Sequence, residues 1–202
     1  MEDISTLIKD IIEAESKAIA SLPVTPDYEK AVALIVDHTA RKGGKLITSG
    51  IGKAGQIAMN ISTTFSSTGT PAVFLHPAEA QHGDLGILQP NDIMLLVSNS
   101  GKTREILELV ELARVLNPRL PLIVITGRAD SPLSAFADAL LPTASVPEVC
   151  PLGLTPTTST TMMTVIGDIL VVAVMKEIGF TSEQYARRHH GGYLGGKARG
   201  NF

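Results

Sequence analysis

Five short, continuously apolar segments alternate with longer segments in which apolar residues recur at helical spacing. The short segments have the length and hydrophobicity of buried strands, and the small residues that follow them are typical of loops. Because strand–helix–strand connections are right-handed, this order predicts an α/β fold with a five-stranded, parallel, doubly wound sheet and flanking helices. The predicted strands are Lys45–Ser49, Ala72–Leu75, Ile93–Val97, Leu122–Thr126 and Ala139–Leu141.

Two helices are predicted ahead of the first strand. The first covers residues 4–21, and the second runs to about Lys42, with Thr25 as N-cap and Pro26 at the first helical position. We divide the chain into N-terminal helices (1–42), an α/β core (43–180) and a C-terminal helix with a Gly-rich tail (181–202), all in one domain. The other predicted helices end near Ser67, Leu116, Ala137, Lys176 and Arg188.

The helix predicted from Thr157 to Lys176 is apolar nearly all round. We do not expect it to span a membrane, because Gly167 and Asp168 interrupt its apolar run in the middle. A helix of this kind is typical of a position packed against a sheet or a partner subunit. The helix at residues 4–21 has little sheet to cover, so we predict that it contacts another subunit.

Composition excludes several classes of function. The net charge of the 202-residue chain is −3, which provides no basic field for nucleic acid or for an anionic membrane. One cysteine, Cys150, excludes an internal disulfide framework. Residues 1–21 carry acidic side chains and lack a signal peptide's apolar core. We therefore expect a cytoplasmic protein without nucleic-acid or membrane partners.

The segment from Ser98 to Glu105 predicts a phosphate-binding loop. It links a buried strand to a helix and contains Ser98, Asn99, Ser100, Gly101 and Thr103. Hydroxyls and free backbone N–H groups at a helix N-terminus favour an anion. An ordinary N-capped strand–helix turn has the same pattern, so the loop alone leaves both interpretations open.

Residues Gly50–Gly55 match the G-x-G-x-x-G dinucleotide-binding fingerprint between a strand and a helix. The fingerprint also requires an acidic residue at the end of the next strand, to bind a ribose hydroxyl. That strand ends instead in His76-Pro77, and Lys53 lies inside the loop. An ammonium at this position is better suited to a sugar phosphate or a developing oxyanion, so we predict no dinucleotide cofactor.

The connection that follows, residues 76–91, contains two histidines and two acids within nine positions. Long connections in compact domains are often functional. The spacing matches no standard ligand set, so we predict no metal, with His76 and His82 as the residues to consider if one binds. A third segment, residues 146–156, is irregular and Pro-rich and carries Glu148. Because it follows a strand end, like the loops at Gly50 and Ser98, we expect all three to meet at one crevice.

Six segments of the chain resemble the sugar isomerase (SIS) domain family, and within it the bacterial D-arabinose 5-phosphate isomerases of the Kdo pathway. The resemblance covers about residues 40–195 and implies a flavodoxin-like fold. The similar segments are Gly50–Gly55 (G-I-G-K-A-G), Ser67–Pro71 (S-T-G-T-P), His76–Gly86 (H-P-A-E-A-Q-H-G-D-L-G), Ser98–Glu105 (S-N-S-G-K-T-R-E), Glu148–Thr160 (E-V-C-P-L-G-L-T-P-T-T-S-T) and His189–Gly195 (H-H-G-G-Y-L-G).

This resemblance implies reversible isomerisation of D-ribulose 5-phosphate and D-arabinose 5-phosphate through an enediol, without a cofactor, to supply lipopolysaccharide synthesis. Lys53, Glu105, Glu148 and His189 occupy the family's functional positions. We assign Glu148 as proton shuttle, Glu105 to positioning, and His189 to ring opening or proton relay. The implied substrate- and phosphate-binding residues are Ser49, Gly50, Ser98, Asn99, Ser100, Thr103, Ser159 and Thr160.

The same resemblance implies a homotetramer in which His189 completes a neighbouring subunit's active site. The chain departs from the family pattern at His190, which replaces a proline, and at Lys102 and Arg104 in the phosphate loop. We also expect a short form without the tandem CBS regulatory domains of long family members. Three alternatives remain open at this point: another phosphosugar isomerase, a non-catalytic sugar-phosphate or nucleotide-sugar sensor, and a dinucleotide-binding module.

Overall fold

The computed structural model describes residues 3–200 and contains one five-stranded sheet in which every paired strand is parallel. The strand order is β2-β1-β3-β4-β5. This arrangement confirms the predicted doubly wound parallel sheet, with each boundary within one residue of its predicted position. The strands are β1 (Leu46–Gly50), β2 (Ala72–Phe74), β3 (Ile93–Val97), β4 (Leu122–Thr126) and β5 (Ala139–Pro142).

Eight α-helices connect or flank these strands within residues 3–200. The first two precede the sheet and the last two follow the long helix α6. Among the predicted helices, those before β1 and after β1, β3 and β5 are confirmed. The second helix ends earlier than predicted, at Val36, and a π-helical turn, Asp37–Arg41, continues it towards Lys42. The helices are α1 (Ile4–Ala20), α2 (Asp27–Val36), α3 (Gly52–Ser67), α4 (Pro77–Ala80), α5 (Arg104–Leu116), α6 (Thr158–Glu177), α7 (Ser182–Arg188) and α8 (Gly192–Ala198).

Both faces of the sheet are covered, which is why β1, β3 and β4 are buried along their whole length. Alternate side chains of a strand point to opposite faces. Leu95 and Val97 therefore pack in one core with residues of α2, α3 and α6. Met94 and Leu96 pack in the other core with the buried side of α5. The continuous apolar runs of the sequence follow directly from this double coverage.

Several local predictions are wrong. The expected N-cap at Thr25 is not formed: Pro26 precedes α2, and no side chain caps that helix. The helix after β1 begins at Gly52, inside the predicted Gly50–Gly55 loop. A 3₁₀ turn at Ser134–Phe136 stands where a short helix was expected. The connection at 76–91 contains α4 and a 3₁₀ turn at Asp84–Ile87.

The Gly-rich tail contains a helix, α8, that the sequence pattern does not predict because glycine is a poor helix former. The two glycines in its second half, Gly195 and Gly196, are buried. A Cβ added at Gly195 would collide with the carbonyl oxygen of His189. Close packing between α7 and α8 therefore requires a glycine at this position.

By length and hydropathy alone, α6 is the one helix within residues 3–200 that qualifies for crossing a membrane. Half of its apolar window is buried inside the domain. It packs against α1, α2 and α3, and Ile166 and Leu170 are fully buried. These contacts are those of a core helix, as the sequence predicts.

Candidate active site

A cavity of about 500 Å³ opens at the carboxyl edge of the sheet, where the chain leaves β1 and β3. The strand order reverses between these two strands, since α3 leads from β1 to β2 while α5 leads from β3 to β4. Ligands of doubly wound sheets bind at this kind of switch point. The cavity is lined by the first turn of α3, the β3–α5 loop, the end of β4, residues 144–146 and the first turn of α6. The three predicted loops therefore do meet at one place.

The β3–α5 loop presents hydroxyls and an open helix end to this cavity. The hydroxyls of Ser98 and Thr103 are 2.9 Å apart and hydrogen-bonded, and Ser98 Oγ accepts a bond from the Gly101 N–H at 3.2 Å. Ser100 Oγ accepts from the Lys102 N–H at 3.2 Å, which leaves its proton for an acceptor in the cavity. The N-cap residue Thr103 makes no capping bond with its side chain. The N-terminus of α5 thus retains its capacity for an anion.

The N-terminus of α6 is different, because the carboxylate of Glu148 already caps it. Glu148 Oε2 accepts from the backbone N–H groups of Thr157 and Ser159, at 2.7 and 3.2 Å, and from the Thr157 hydroxyl at 3.0 Å. The Ser159 hydroxyl donates to Glu148 Oε1. A carboxylate in this position is stabilised by both the free N–H groups and the helix dipole.

These contacts also set the charge of Glu148. Partial burial raises the pKa of the carboxyl, but the hydrogen bonds from Ser159 and Thr157 outweigh burial and hold the pKa below its usual value of 4.5. Glu148 is therefore ionised at neutral pH. A general base must be ionised before it accepts a proton, so Glu148 has the charge state that the proposed proton shuttle requires.

The structure brings six of the eight predicted phosphate-binding residues to the cavity: Ser98, Asn99, Ser100, Thr103, Ser159 and Thr160. Two of the six donate their hydroxyl protons away from the cavity: Ser159 donates to Glu148, and Thr160 donates to the Thr157 carbonyl at 2.8 Å. One of the Ser98 and Thr103 protons is used in the bond between these two hydroxyls. Ser49 and Gly50 lie outside the lining. Ser49 is fully buried and donates to the Leu75 carbonyl at 2.6 Å, a bond between β1 and the end of β2.

Gly50 has a packing role that its place in the fingerprint does not reveal. A Cβ at Gly50 would lie 2.9 Å from the Ala54 carbonyl oxygen, and one at Gly55 would lie 2.6 Å from the Gly50 carbonyl oxygen. Real Cβ atoms do not approach this closely. The two glycines therefore allow α3 to start directly against β1, which places Lys53 at the cavity mouth.

The four residues to which the resemblance assigns a function are not all at the cavity in this chain. Lys53 lies in the first turn of α3, exposed and lining the cavity. Glu105 is half-buried in the first turn of α5, outside the lining. Glu148 lies behind the first turn of α6 and borders a second hollow, between α1 and residues 146–149.

His189 lies at the opposite edge of the sheet. The helix α6 starts at the cavity and has 20 residues, so its other end is about 30 Å away. Phe180 and Arg188, which follow it, lie beside Gly69 at the amino edge. His189 stacks on Tyr185, with ring centroids 3.8 Å apart, and its Nδ1 is 3.0 Å from the Tyr185 carbonyl oxygen. Within one chain, His189 is remote from Lys53.

The connection at residues 76–91, which contains the histidines considered as metal ligands, does not bring a set of ligands together. His76, Glu79, His82 and Asp84 do not converge on one point. Residues 3–200 contain no group of three or more His, Cys, Asp or Glu side chains able to hold a metal ion. The polar groups that converge on the cavity are hydroxyls and the cationic side chains of Lys53 and Arg128, which suit an anion better than a divalent cation.

Two features of the cavity escaped the sequence analysis. Arg128 lines it immediately after β4. Its position in the sequence indicates such a role, because Arg128, like Lys53, is a charged residue that follows the end of a strand. Ala144 also lines it and has a positive φ of 63°, which is uncommon for a residue other than glycine. This left-handed turn directs the chain from β5 towards the cavity, and alanine offers no sequence signal for it.

Cys150 lies near Glu148, and its Sγ accepts the backbone N–H groups of Leu154 and Thr155, at 3.2 and 3.1 Å. These bonds, led by the one from Thr155, lower the pKa of the thiol to about 7. The isomerisation that the family resemblance implies requires no thiolate. We therefore expect Cys150→Ala to retain most of the wild-type kcat/KM in a steady-state assay. A loss beyond about tenfold, roughly 1.4 kcal/mol of barrier, would indicate a catalytic role for the thiol.

The sequence model of the SIS domain matches residues 40–173. Arabinose 5-phosphate isomerase KdsD of Escherichia coli K12 is 48% identical over 154 residues, 76% of this chain and 46% of that protein. KdsD of Yersinia pestis is 43% identical over 191 residues, 94% of this chain and 56% of that protein. The chain thus spans about half the length of the curated relatives it matches.

Two solved structures are similar over nearly the whole chain. A putative phosphosugar isomerase involved in capsule formation from Bacteroides fragilis NCTC 9343 is 64% identical, with a TM-score of 0.93, over 95% of this chain and 100% of that one. The c3406 protein of E. coli CFT073, solved in complex with arabinose 5-phosphate, is 35% identical, with a TM-score of 0.83, over 93% of this chain and 97% of that one.

Proposed function

Because the chain belongs to the SIS domain family, we propose that it is an aldose–ketose isomerase that interconverts D-ribulose 5-phosphate and D-arabinose 5-phosphate. The observation that carries this proposal is one cavity that combines Lys53, the hydroxyl-rich loop at the open N-terminus of α5, and a helix start capped by the ionised Glu148. The pentose is inferred from the KdsD relatives and from the sugar-phosphate complex of c3406. We further propose a cytoplasmic role in supplying arabinose 5-phosphate for Kdo and lipopolysaccharide synthesis.

In this proposal the phosphate binds at the β3–α5 loop, where Ser100 and the N-terminal N–H groups of α5 donate hydrogen bonds to it. Glu148 releases the Ser159 hydroxyl, turns from behind the first turn of α6 towards the cavity and takes the C2 proton of the aldose. It returns this proton to C1 while a proton passes from O2 to O1, which yields the ketose. The Lys53 ammonium stabilises the negative charge on the enediolate oxygen. Glu105 positions the loop or the substrate, and His189 of a neighbouring subunit assists ring opening.

We propose a homotetramer with shared active sites as the functional form. Three isoleucines on α1 are more than half exposed: Ile4 (65%), Ile8 (52%) and Ile12 (61%). Leu152 and Leu154, close to Cys150, are exposed by 76% and 78%. Exposed apolar side chains gathered on one helix and one loop favour burial against other copies of the chain.

The proposal is tested by incubating the purified protein with arabinose 5-phosphate and measuring ketose formation, with and without EDTA. A panel of other pentose and hexose phosphates separates this activity from that of related isomerases. We expect turnover of arabinose 5-phosphate without added NAD or metal. Binding without turnover of any sugar phosphate would favour the sensor alternative, and activity abolished by EDTA and restored by one divalent ion would refute the metal-free mechanism.

Ser100→Ala removes the loop hydroxyl whose proton is free for the substrate. Contacts to the non-reacting phosphate are shared by the ground state and the transition state, so we expect KM to rise by roughly tenfold with little change in kcat. Steady-state kinetics with arabinose 5-phosphate measures both constants. Ser182→Ala, which replaces an exposed serine outside the cavity lining, is the control. A change in kcat alone would contradict the phosphate role of Ser100.

A further inference from the structure

The cavity is positively charged on two sides. Among residues 3–200, its lining contains two cationic side chains, Lys53 and Arg128, and no carboxylate. Lys53 follows β1 and Arg128 follows β4, and β3 with the phosphate loop lies between them. Since neighbouring strands are about 4.8 Å apart, the strands that precede the two cations are separated by about 10 Å. The two charges therefore enter the cavity from opposite sides of the phosphate loop.

The backbone of Arg128 is fixed against this loop. Its N–H donates to Thr126 Oγ1 at 3.2 Å, and its carbonyl accepts from the Ser131 N–H at 3.2 Å and the Ser134 hydroxyl at 2.9 Å. The preceding residue, Gly127, donates its N–H to the Asn99 carbonyl at 3.1 Å. A Cβ at Gly127 would collide with the Asn99 side chain and lie 3.1 Å from the Asn99 carbonyl oxygen, so glycine favours this close approach.

The guanidinium of Arg128 is uncommitted. Among residues 3–200, it takes part in no hydrogen bond, ion pair or ring contact, and the side chain is exposed. Arg114, by contrast, donates to the Phe136 carbonyl and stacks on the Phe136 ring. A fixed backbone with a free cationic head at a cavity is the arrangement expected of a ligand-binding arginine.

A sugar phosphate requires such a cation. A phosphate monoester carries a charge of about −1.5 to −2 at neutral pH, whereas a helix N-terminus supplies only about half a positive charge. The loop side chains that line the cavity are neutral. The two cations of the same loop, Lys102 and Arg104, lie outside the lining. Lys53 is assigned to the oxygen at the reacting end. The remaining charge of the phosphate is therefore uncompensated unless Arg128 contributes.

We propose that Arg128 is the counter-cation of the substrate phosphate, which its guanidinium binds with two parallel hydrogen bonds from the β4 side of the loop. This geometry suits the planar guanidinium and the phosphate oxygens. Arg128 thereby selects phosphorylated over free sugars. The identity of the sugar rests on the proposed function, but the recognition of the phosphate does not.

The test compares the Arg128→Gln and Arg128→Lys variants with wild type. We expect Arg128→Gln to raise KM for arabinose 5-phosphate by about 10- to 100-fold, with kcat within about threefold of wild type. The inhibition constant of inorganic phosphate rises by a similar factor. In Arg128→Lys, KM and the inhibition constant of phosphate lie between the values of Arg128→Gln and wild type, because lysine keeps the charge but does not form the paired hydrogen bonds. Arg119→Gln removes the same charge from an exposed position outside the cavity and leaves both constants unchanged.

Calorimetric titration with inorganic phosphate separates this inference from the proposed function. A protein that turns over no sugar phosphate, yet binds phosphate through Arg128, refutes the isomerase activity and supports the inference. An active Arg128→Gln variant with wild-type KM and wild-type phosphate affinity overturns the inference and leaves the isomerase intact. A loss confined to kcat also overturns it, because that would place Arg128 at the reacting end.

Discussion

Replacement of Glu148 by glutamine is expected to lower kcat by at least about 10²-fold, with a modest change in KM. Glutamine keeps the size of the side chain and still accepts through one oxygen, but it does not remove a proton from carbon. Because the remaining oxygen of glutamine still accepts hydrogen bonds from Thr157 and Ser159, we expect the loss of folding stability to be small in comparison. Steady-state kinetics with arabinose 5-phosphate, together with a thermal melt of the variant, measure the two effects separately.

The control is Glu111→Gln, which removes the same charge from the exposed face of α5 and should leave kcat unchanged. Glu105→Gln tests the alternative base. If Glu148→Gln retains nearly full activity while Glu105→Gln is inactive, the two acids exchange roles.

Because the pKa of Glu148 is lowered, its carboxylate stays ionised from neutral pH down to pH values below the ordinary pKa of a glutamate. Activity that depends on it should therefore persist into mildly acidic solution.

Mixing the inactive variants Lys53→Ala and His189→Ala is expected to restore activity. In this chain the two residues lie at opposite edges of the sheet, at the two ends of the 20-residue helix α6. A site that uses both therefore takes His189 from another subunit. With random exchange in an equimolar mixture, about a quarter of the sites combine an intact Lys53 with an intact His189.

The experiment requires co-refolding, with two affinity tags to show that mixed oligomers have formed. Lys53→Ala mixed with Glu148→Gln is the matched control. In the proposed mechanism both of these residues serve the site of their own chain, so every mixed site should keep one lesion and no activity should return. Mixed oligomers of Lys53→Ala and His189→Ala that show no recovery would refute the shared site.

The sheet and its loops could be predicted from the sequence, because their signals are local. The continuous apolar run of β3 reports burial on both faces. Ser98, Ser100 and Thr103 follow it at once and precede an amphipathic helix. Strand order in a doubly wound fold is then constrained by the hand of the crossovers, and that hand brings the Gly50 and Ser98 loops to one cavity.

Contacts between distant segments could not be predicted in this way. The carboxylate of Glu148 was recognised as a candidate base, but its bonds to Thr157 and Ser159 depend on how residues 144–156 turn back onto α6. Ser49 has the same residue type as the serines of the phosphate loop, yet its hydroxyl points to the Leu75 carbonyl. Side-chain direction at a strand end depends on the register with the neighbouring strand.

The sequence by itself determined the element order, the parallel sheet and the hydroxyl-rich loop, since each of these depends on periodicity and on residues next to one another in the chain. Only the tertiary structure decided that α6 is capped by Glu148, that Arg128 enters the cavity opposite Lys53, and that His189 lies at the far edge. These placements arise because crossovers bring together strand ends that are dozens of residues apart. The long helix α6, in turn, carries the chain away from the cavity before His189 is reached.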